Sequence, residues 1–148
     1  GRIDVKALIE ETVVLVEHLY RQKSISLVFD ARTSDAVVQG DENQLKQVLI
    51  NLLKNSIEAI LDQGIIEIEL SKSTDGGTIE ISVIDDGCGI PPDIESRIFD
   101  PFFSSKITKQ NTGLGLSISQ HIVENHDGII QLSAGDKTTA TVRLPSVN

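Results

Sequence analysis

Ile66-Glu-Ile68-Glu-Leu70-Ser-Lys-Ser-Thr-Asp75-Gly76-Gly77-Thr-Ile79-Glu-Ile81-Ser-Val83-Ile-Asp85 reads as two strands and the turn that joins them. Ile66, Ile68 and Leu70 alternate with polar residues, and Ile79, Ile81 and Val83 do so again, the period of a half-buried strand. Asp75-Gly76-Gly77 supplies turn chemistry between the two runs. The hairpin therefore turns its apolar side chains to one face, which other elements must cover. Counting by two from Ile79 also brings Asp85 to that inward face. A carboxylate at the end of a buried face needs a hydrogen-bonding partner.

Working outward, the spacing of Val5, Leu8, Ile9, Thr12, Leu15, Val16 and Leu19 predicts a helix from Asp4 to about Gln22. Ile25, Leu27 and Phe29 alternate as a strand, and Ala36 to Val38 is expected to add a short partner to it. A second helix is predicted from Asp41, its N-cap, to about Asp62, with Leu45, Val48, Leu52, Ile57 and Ile60 in its apolar stripe. Residues 86–112 carry Gly, Pro, Ser and Lys without a long periodic element, the mark of a functional loop or lid. A third helix starts near Thr112 or Gly113 and runs to about Asn125, followed by strands at 129–133 and 138–144. This order predicts an α+β fold: a two-layer sandwich with about three helices on one face of a mixed, mostly antiparallel five-stranded sheet.

The 148 residues suit one domain, with 39% hydrophobic and 24% charged residues. A net charge of −9 argues against a nucleic-acid partner, which would require neutralising phosphates with Lys and Arg. No apolar run approaches a membrane span. The absence of Met suggests a piece of something longer, and the single cysteine, Cys88, cannot form an internal disulfide, which fits a reducing, cytoplasmic location.

Three polar clusters carry the chemistry. Asn51 and Asn55 lie four apart on one helix face. Their amide oxygens suit a hard cation such as Mg²⁺, although taken alone the pair also reads as helix-surface amides. Asp85 can accept from an exocyclic amine such as that of adenine; the alternative is an Asp that caps the turn, as expected of Asp86. Gly87 and Gly89 permit close approach of a ligand to the backbone. Neither a dinucleotide fingerprint nor a P-loop is present. Thr112-Gly113-Leu114-Gly115-Leu116 opens a helix, and a glycine-rich helix N-terminus is suited to an anion; it also reads as a softened loop-to-helix junction. Lys106 and Lys109 stand just upstream, where they either bring charge to a phosphate or are simply solvated. Phe99, Phe102 and Phe103 anchor the loop or offer a surface. His18, His121 and His126 lack metal-binding spacing.

These blocks resemble the ATP-binding catalytic domain of sensor histidine kinases, whose Bergerat fold is shared with DNA gyrase, MutL and heat-shock chaperone ATPases. Residues 41–55 are similar to its N box, 85–89 to its first glycine box, 98–103 to its F box and 113–116 to its second glycine box. Thr138 to Pro145 resembles the last strand. The version Pro101-Phe-Phe-Ser-Ser-Lys106 looks most like nitrogen-regulation-type and sporulation-type kinases.

The resemblance implies ATP and Mg²⁺ as ligands. Asn55 would hold the metal, and Asn51 would sit by metal and phosphates. Asp85 would read adenine with Thr139 supporting it through water, beside Gly87, Gly89 and Ile90. Lys106 would approach the phosphates, and Thr112, Gly113, Leu114, Gly115 and Leu116 would close over them. Catalysis would fall to Asn51 and Lys106. The implied activity is transfer of the γ-phosphoryl group to a His on a separate helical dimerisation domain, with a response regulator downstream. The domain itself would be monomeric and make no membrane contact. Glu58 stands where other branches place a phosphate-seeking Lys or Arg, Asn111 replaces a frequent Gly, and His126-Asp127-Gly128 replaces His-Gly-Gly.

Two related activities remain as alternatives: an ATPase of the gyrase or MutL type, and a serine kinase of the anti-sigma type. Both favour Glu at the position of Asn51, because water or a hydroxyl must be deprotonated. An amide has no such basicity, so Asn51 points to a histidine acceptor. His18-Leu19-Tyr20-Arg21 does not match the usual acceptor context.

Overall fold

A computed structural model describes residues 1–60, 63–86, 113–133 and 137–147, with side chains from Leu116 onward in the third of these stretches. The strands are β1 (Arg2–Asp4), β2 (Ile25–Ala31), β3 (Val37–Gln39), β4 (Gly64–Lys72), β5 (Thr78–Asp85), β6 (Ile129–Ser133) and β7 (Thr138–Pro145). The helices are α1 (Val5–Leu15), α2 (Glu17–Arg21), α3 (Glu42–Ala59) and α4 (Gly113–Asn125). A five-stranded sheet has the order β2-β4-β5-β7-β6, and β1 and β3 form a separate two-stranded sheet. Only the β2–β4 pairing in the larger sheet is parallel. This is the mixed, mostly antiparallel α+β sandwich that the alternating pattern predicts. No helix among the described residues is long and apolar enough to cross a membrane.

The hairpin forms as read. Gly76 occupies φ +75° in the turn, a left-handed conformation that glycine adopts without a Cβ clash. Asp75 Oδ1 accepts from Ser73 Oγ and from Gly77 N–H, closing the loop onto itself. The inner face of the sheet, with Ile66, Ile68, Leu70, Ile79, Ile81 and Val83, is buried. It packs with Leu45, Val48, Leu49, Leu52 and Leu53 of α3 in one core. Each such side chain contributes about 1.5–3 kcal/mol when fully buried. Asp41 caps α3, its Oδ1 accepting from Gln44 N–H at 3.0 Å, a bond that satisfies one of the free donors of the first turn.

Two expectations are corrected. The first predicted helix is interrupted at Val16, whose backbone (φ −101°, ψ 6°) separates α1 from α2. Thr12, fully buried, donates its hydroxyl to the Leu8 carbonyl at 2.7 Å, a back-bond that bends helices. The chain then redirects so that Val16 is buried, while Leu15 is left 51% exposed. The short strand at 37–39 pairs with β1, not with β2. β2 instead lies parallel to β4, because the intervening α3 provides the long crossover that a parallel neighbour requires.

α4 ends in a left-handed cap. Asp127 has φ +60°, and Gly128 N–H donates to the Val123 carbonyl at 2.9 Å, the long bond of a Schellman motif. A Cβ at Gly128 would collide with the Arg143 carbonyl of β7, so the backbone there approaches the sheet too closely for any side chain. Asp127 has no such contact requirement; it occupies a conformation that glycine adopts more readily. The substitution Asp127→Gly is expected to raise stability by about 1 kcal/mol, the cost of a left-handed backbone to an L-residue, whereas Gly128→Ala should cost about 1–3 kcal/mol. Chemical denaturation of both variants tests this, and a stabilised Gly128→Ala would contradict the close approach.

Candidate nucleotide-binding site

Asp85 ends β5 on the inner face and is 3% exposed. The register sets it opposite Ile66 of β4 and Thr138 of β7. Thr138 is 8% exposed, and its buried Oγ1 has no hydrogen-bond partner among the described residues. A buried carboxylate and an orphaned hydroxyl therefore end the inner face side by side. Leaving such a hydroxyl unpaired costs about 1–3 kcal/mol, and a ligand edge carrying both donors and acceptors would relieve it. Thr139 is not the partner of Asp85: it pairs with Ile84 and, by strand alternation, lies on the other face. The same count by two that finds Asp85 identifies Thr138, since Leu144, Val142, Ala140 and Thr138 share one face.

Asp86 has the structural role expected of it. Its Oδ1 accepts from Ile65 N–H at 3.0 Å and joins the end of β5 to the start of β4. The adjacent carboxylates are thereby divided, one fastening strands and the other facing inward.

On α3, Asn51 is 8% exposed, which excludes the reading of that residue as a surface amide. Its Oδ1 accepts from Gln47 Nε2 at 2.9 Å, and its Nδ2 donates to Ser119 Oγ of α4 at 3.1 Å. Asn55 follows one turn later and is half-buried. α4 begins at Gly113, and Leu116, the last residue of the predicted anion turn, is buried. Gly87, Gly89, Ile90, Lys106, Thr112 and the whole of 98–103 lie outside the described residues; for Gly113, Leu114 and Gly115 only the helical backbone is described. Gln47, Ser119 and Thr138 are the additions to the predicted site. The first was visible as an i, i+4 partner of Asn51, and the third by strand parity. Ser119 depends on how two helices meet, which no local pattern encodes.

Among the described residues no cluster of three His, Cys, Asp or Glu exists that would hold a metal by itself. The amide oxygens of Asn51 and Asn55 fit a hard cation that completes its shell with phosphate oxygens and water. His126 is occupied structurally: Nδ1 donates to the Ile122 carbonyl at 2.7 Å, and Nε2 accepts from Asp41 N–H at 3.1 Å. His18 and His121 are exposed.

The far end of α3 has its own electrostatics. Lys23 donates its ammonium to the carbonyls of Ile57 and Ile60 at 2.9 and 3.0 Å, placing a cation at the negative end of the helix. Beside it a cavity of about 560 Å³, between α1–α2 and α3, is lined by Leu15, Leu19, Ile50, Lys54, Ile57 and Glu58 among others. Burial pushes the Glu58 carboxyl above its ordinary value, and Lys23 and Lys54 only partly oppose this. Its Oε2 has no hydrogen-bond partner among the described residues.

These features define a nucleotide-binding α+β sandwich. Residues 40–148 match the family described as histidine kinase-, DNA gyrase B-, and HSP90-like ATPase, and the chain belongs to that family. It is 37% identical over 146 residues to the signal transduction histidine-protein kinase AtoS of Escherichia coli, covering 97% of this chain and 24% of AtoS. It is 37% identical to sporulation kinase A of Bacillus subtilis, covering 93% of this chain and 22% of that protein. The chain thus spans about a quarter of the length of these curated relatives. Among solved structures, the nucleotide-free catalytic domain of the histidine kinase ThkA superposes with a TM-score of 0.89 at 34% identity, covering 99% of this chain and 95% of that one. ThkA in complex with the response regulator protein TrrA also matches, with a TM-score of 0.85 at 31% identity, covering 99% of this chain and 42% of that one.

Because Glu58 holds its proton more tightly folded than unfolded, its contribution to stability is present below the ordinary carboxyl range and is lost as pH rises through the raised value. Glu58→Gln should therefore stabilise the domain more at pH 7 than at pH 4. Thermal melts at the two pH values test this, and an equal shift at both would refute the assignment.

Proposed function

We propose that this chain is the catalytic domain of a two-component sensor kinase: it binds Mg-ATP and passes the γ-phosphoryl group to a histidine on a separate helical dimerisation domain. The observation that carries this reading is the buried amide of Asn51 at the position where hydrolases of the fold place a base. Phosphoryl transfer forms a P–N bond to the imidazole, breaks the bond to ADP and releases the imidazole proton. An imidazole nitrogen is already nucleophilic, so the pocket has no need of a base at position 51, whereas attack by water would need one. The match to ThkA in a complex with a response regulator supports a response regulator as the downstream partner.

The roles divide by position. Asp85, with Thr138 beside it, recognises the adenine edge. Asn55 and Asn51 offer amide oxygens to Mg²⁺, which when bound neutralises phosphate charge. The α4 N-terminus directs its free N–H groups at the phosphates, and Lys106 adds a positive charge there. Glu58 offers no phosphate contact, so the chain depends on Lys106 and on the helix terminus for that charge.

Calorimetric titration of ATP and ADP, with and without Mg²⁺, separates these roles. Asp85→Asn is expected to weaken both nucleotides about tenfold or more, because it acts on the base. Asn55→Ala should remove chiefly the Mg²⁺-dependent part of the affinity. Equal losses from both substitutions under all conditions would overturn the assignment.

The domain alone is expected to bind ATP without efficient phosphotransfer. Labelling with γ-³²P-ATP tests this: rapid self-phosphorylation on His18 would show that the acceptor is internal, and brisk release of free phosphate would favour the ATPase alternative.

A further inference from the structure

Asn51 sits where α3 meets α4, and its amide is engaged at both ends. The two ends are similar in size and opposite in character, one accepting and one donating. Gln47 donates to the oxygen, and Ser119 accepts from the nitrogen. A flipped amide would set its NH₂ group against the NH₂ group of Gln47. The two partners differ in how firmly they hold the amide in place. Gln47 is exposed, so its own amide can turn to follow Asn51. Ser119 is fully buried on a packed helix, so its hydroxyl, which can accept or donate, fixes where the amide lies.

We propose that Ser119 is a positioning residue for Asn51, holding from α4 the place at which the Asn51 amide meets the nucleotide. Ser119 lies three residues, just under one turn, beyond the Gly113–Leu116 segment, so in this reading the helix that opens at the phosphates also carries the group that holds Asn51. The hydroxyl meets the amide and acts through it. The consequence for binding rests on the nucleotide-site reading above, whereas the contact itself does not.

The test uses the whole 148-residue chain and the variants Ser119→Ala, Asn51→Ala and their combination. In ¹⁵N-labelled protein the side-chain NH₂ signals of Asn51 should exchange about tenfold faster in Ser119→Ala than in the parent. Mg-ATP affinity should fall about fivefold in Ser119→Ala, with ADP affinity in the absence of Mg²⁺ unchanged. In the Asn51→Ala background, Ser119→Ala should add no further loss. Unchanged exchange would overturn the proposal, as would an equal loss for ADP or a loss that persists without Asn51. If Asn51→Ala alone leaves Mg-ATP binding intact, the functional role of Asn51 fails, and the exchange measurement still decides whether Ser119 holds its amide.

Discussion

The inner face of the five-stranded sheet must be covered, and the way α3 covers it determines the rest. Leu45, Val48, Leu49, Leu52 and Leu53 join Ile66, Ile68, Leu70, Ile79, Ile81 and Val83 in one core. A helix that buries so wide a stripe still has one edge left over. On α3 that edge carries Asn51 and Asn55, and the end of the sheet's inner face carries Asp85 and Thr138. Burying polar groups costs about 1–3 kcal/mol each when unpaired, comparable with what one apolar side chain gains. The sandwich tolerates such a polar end only because some groups are already paired, as Asn51 is with Gln47 and Ser119.

The two ends of α3 handle charge in opposite ways. At its N-terminus Asp41 accepts from the first turn, and at its C-terminus Lys23 donates to the last carbonyls. Both placements agree with the helix dipole. Between them the polar edge presents neutral amides rather than carboxylates. In a chain with a net charge of −9, that choice matters for a polyanionic ligand. A carboxylate at position 51 would add repulsion to the triphosphate, which a hydrolase accepts in return for a base. An amide keeps the donor and acceptor capacity without that repulsion.

Much of this was legible in the sequence because strand parity and helix spacing are local. The α+β order, the hairpin, the N-cap at Asp41 and the inward Asp85 follow from periods of two and 3.6 residues. Along β7 the face changes with every residue, so Thr139, which the resemblance implied, points away and Thr138 lies across from Asp85. The remaining differences are tertiary. Whether β3 joins β2 or β1 depends on where α3 leaves the chain, and the break at Val16 depends on a buried Thr12 hydroxyl. Neither is written in the composition of those segments. Ser119, a serine on the buried face of a helix, becomes meaningful only when Asn51 is found opposite.

His126 supplies the last link. Its ring lies against Gly40, where any Cβ would collide with it, and its Nε2 accepts from the N–H of Asp41. That hydrogen bond needs an unprotonated Nε2, and the bond to the Ile122 carbonyl needs a proton on Nδ1, so the neutral ring is the form that fits both. The histidine that looked idle in the sequence thus joins the C-terminus of α4 to the N-cap of α3. Ser119 joins the same two helices at Asn51. Two polar contacts set well apart along a packed helix pair resist both sliding and rotation. A displacement of α4 against α3 therefore strains both contacts rather than being absorbed between the helices.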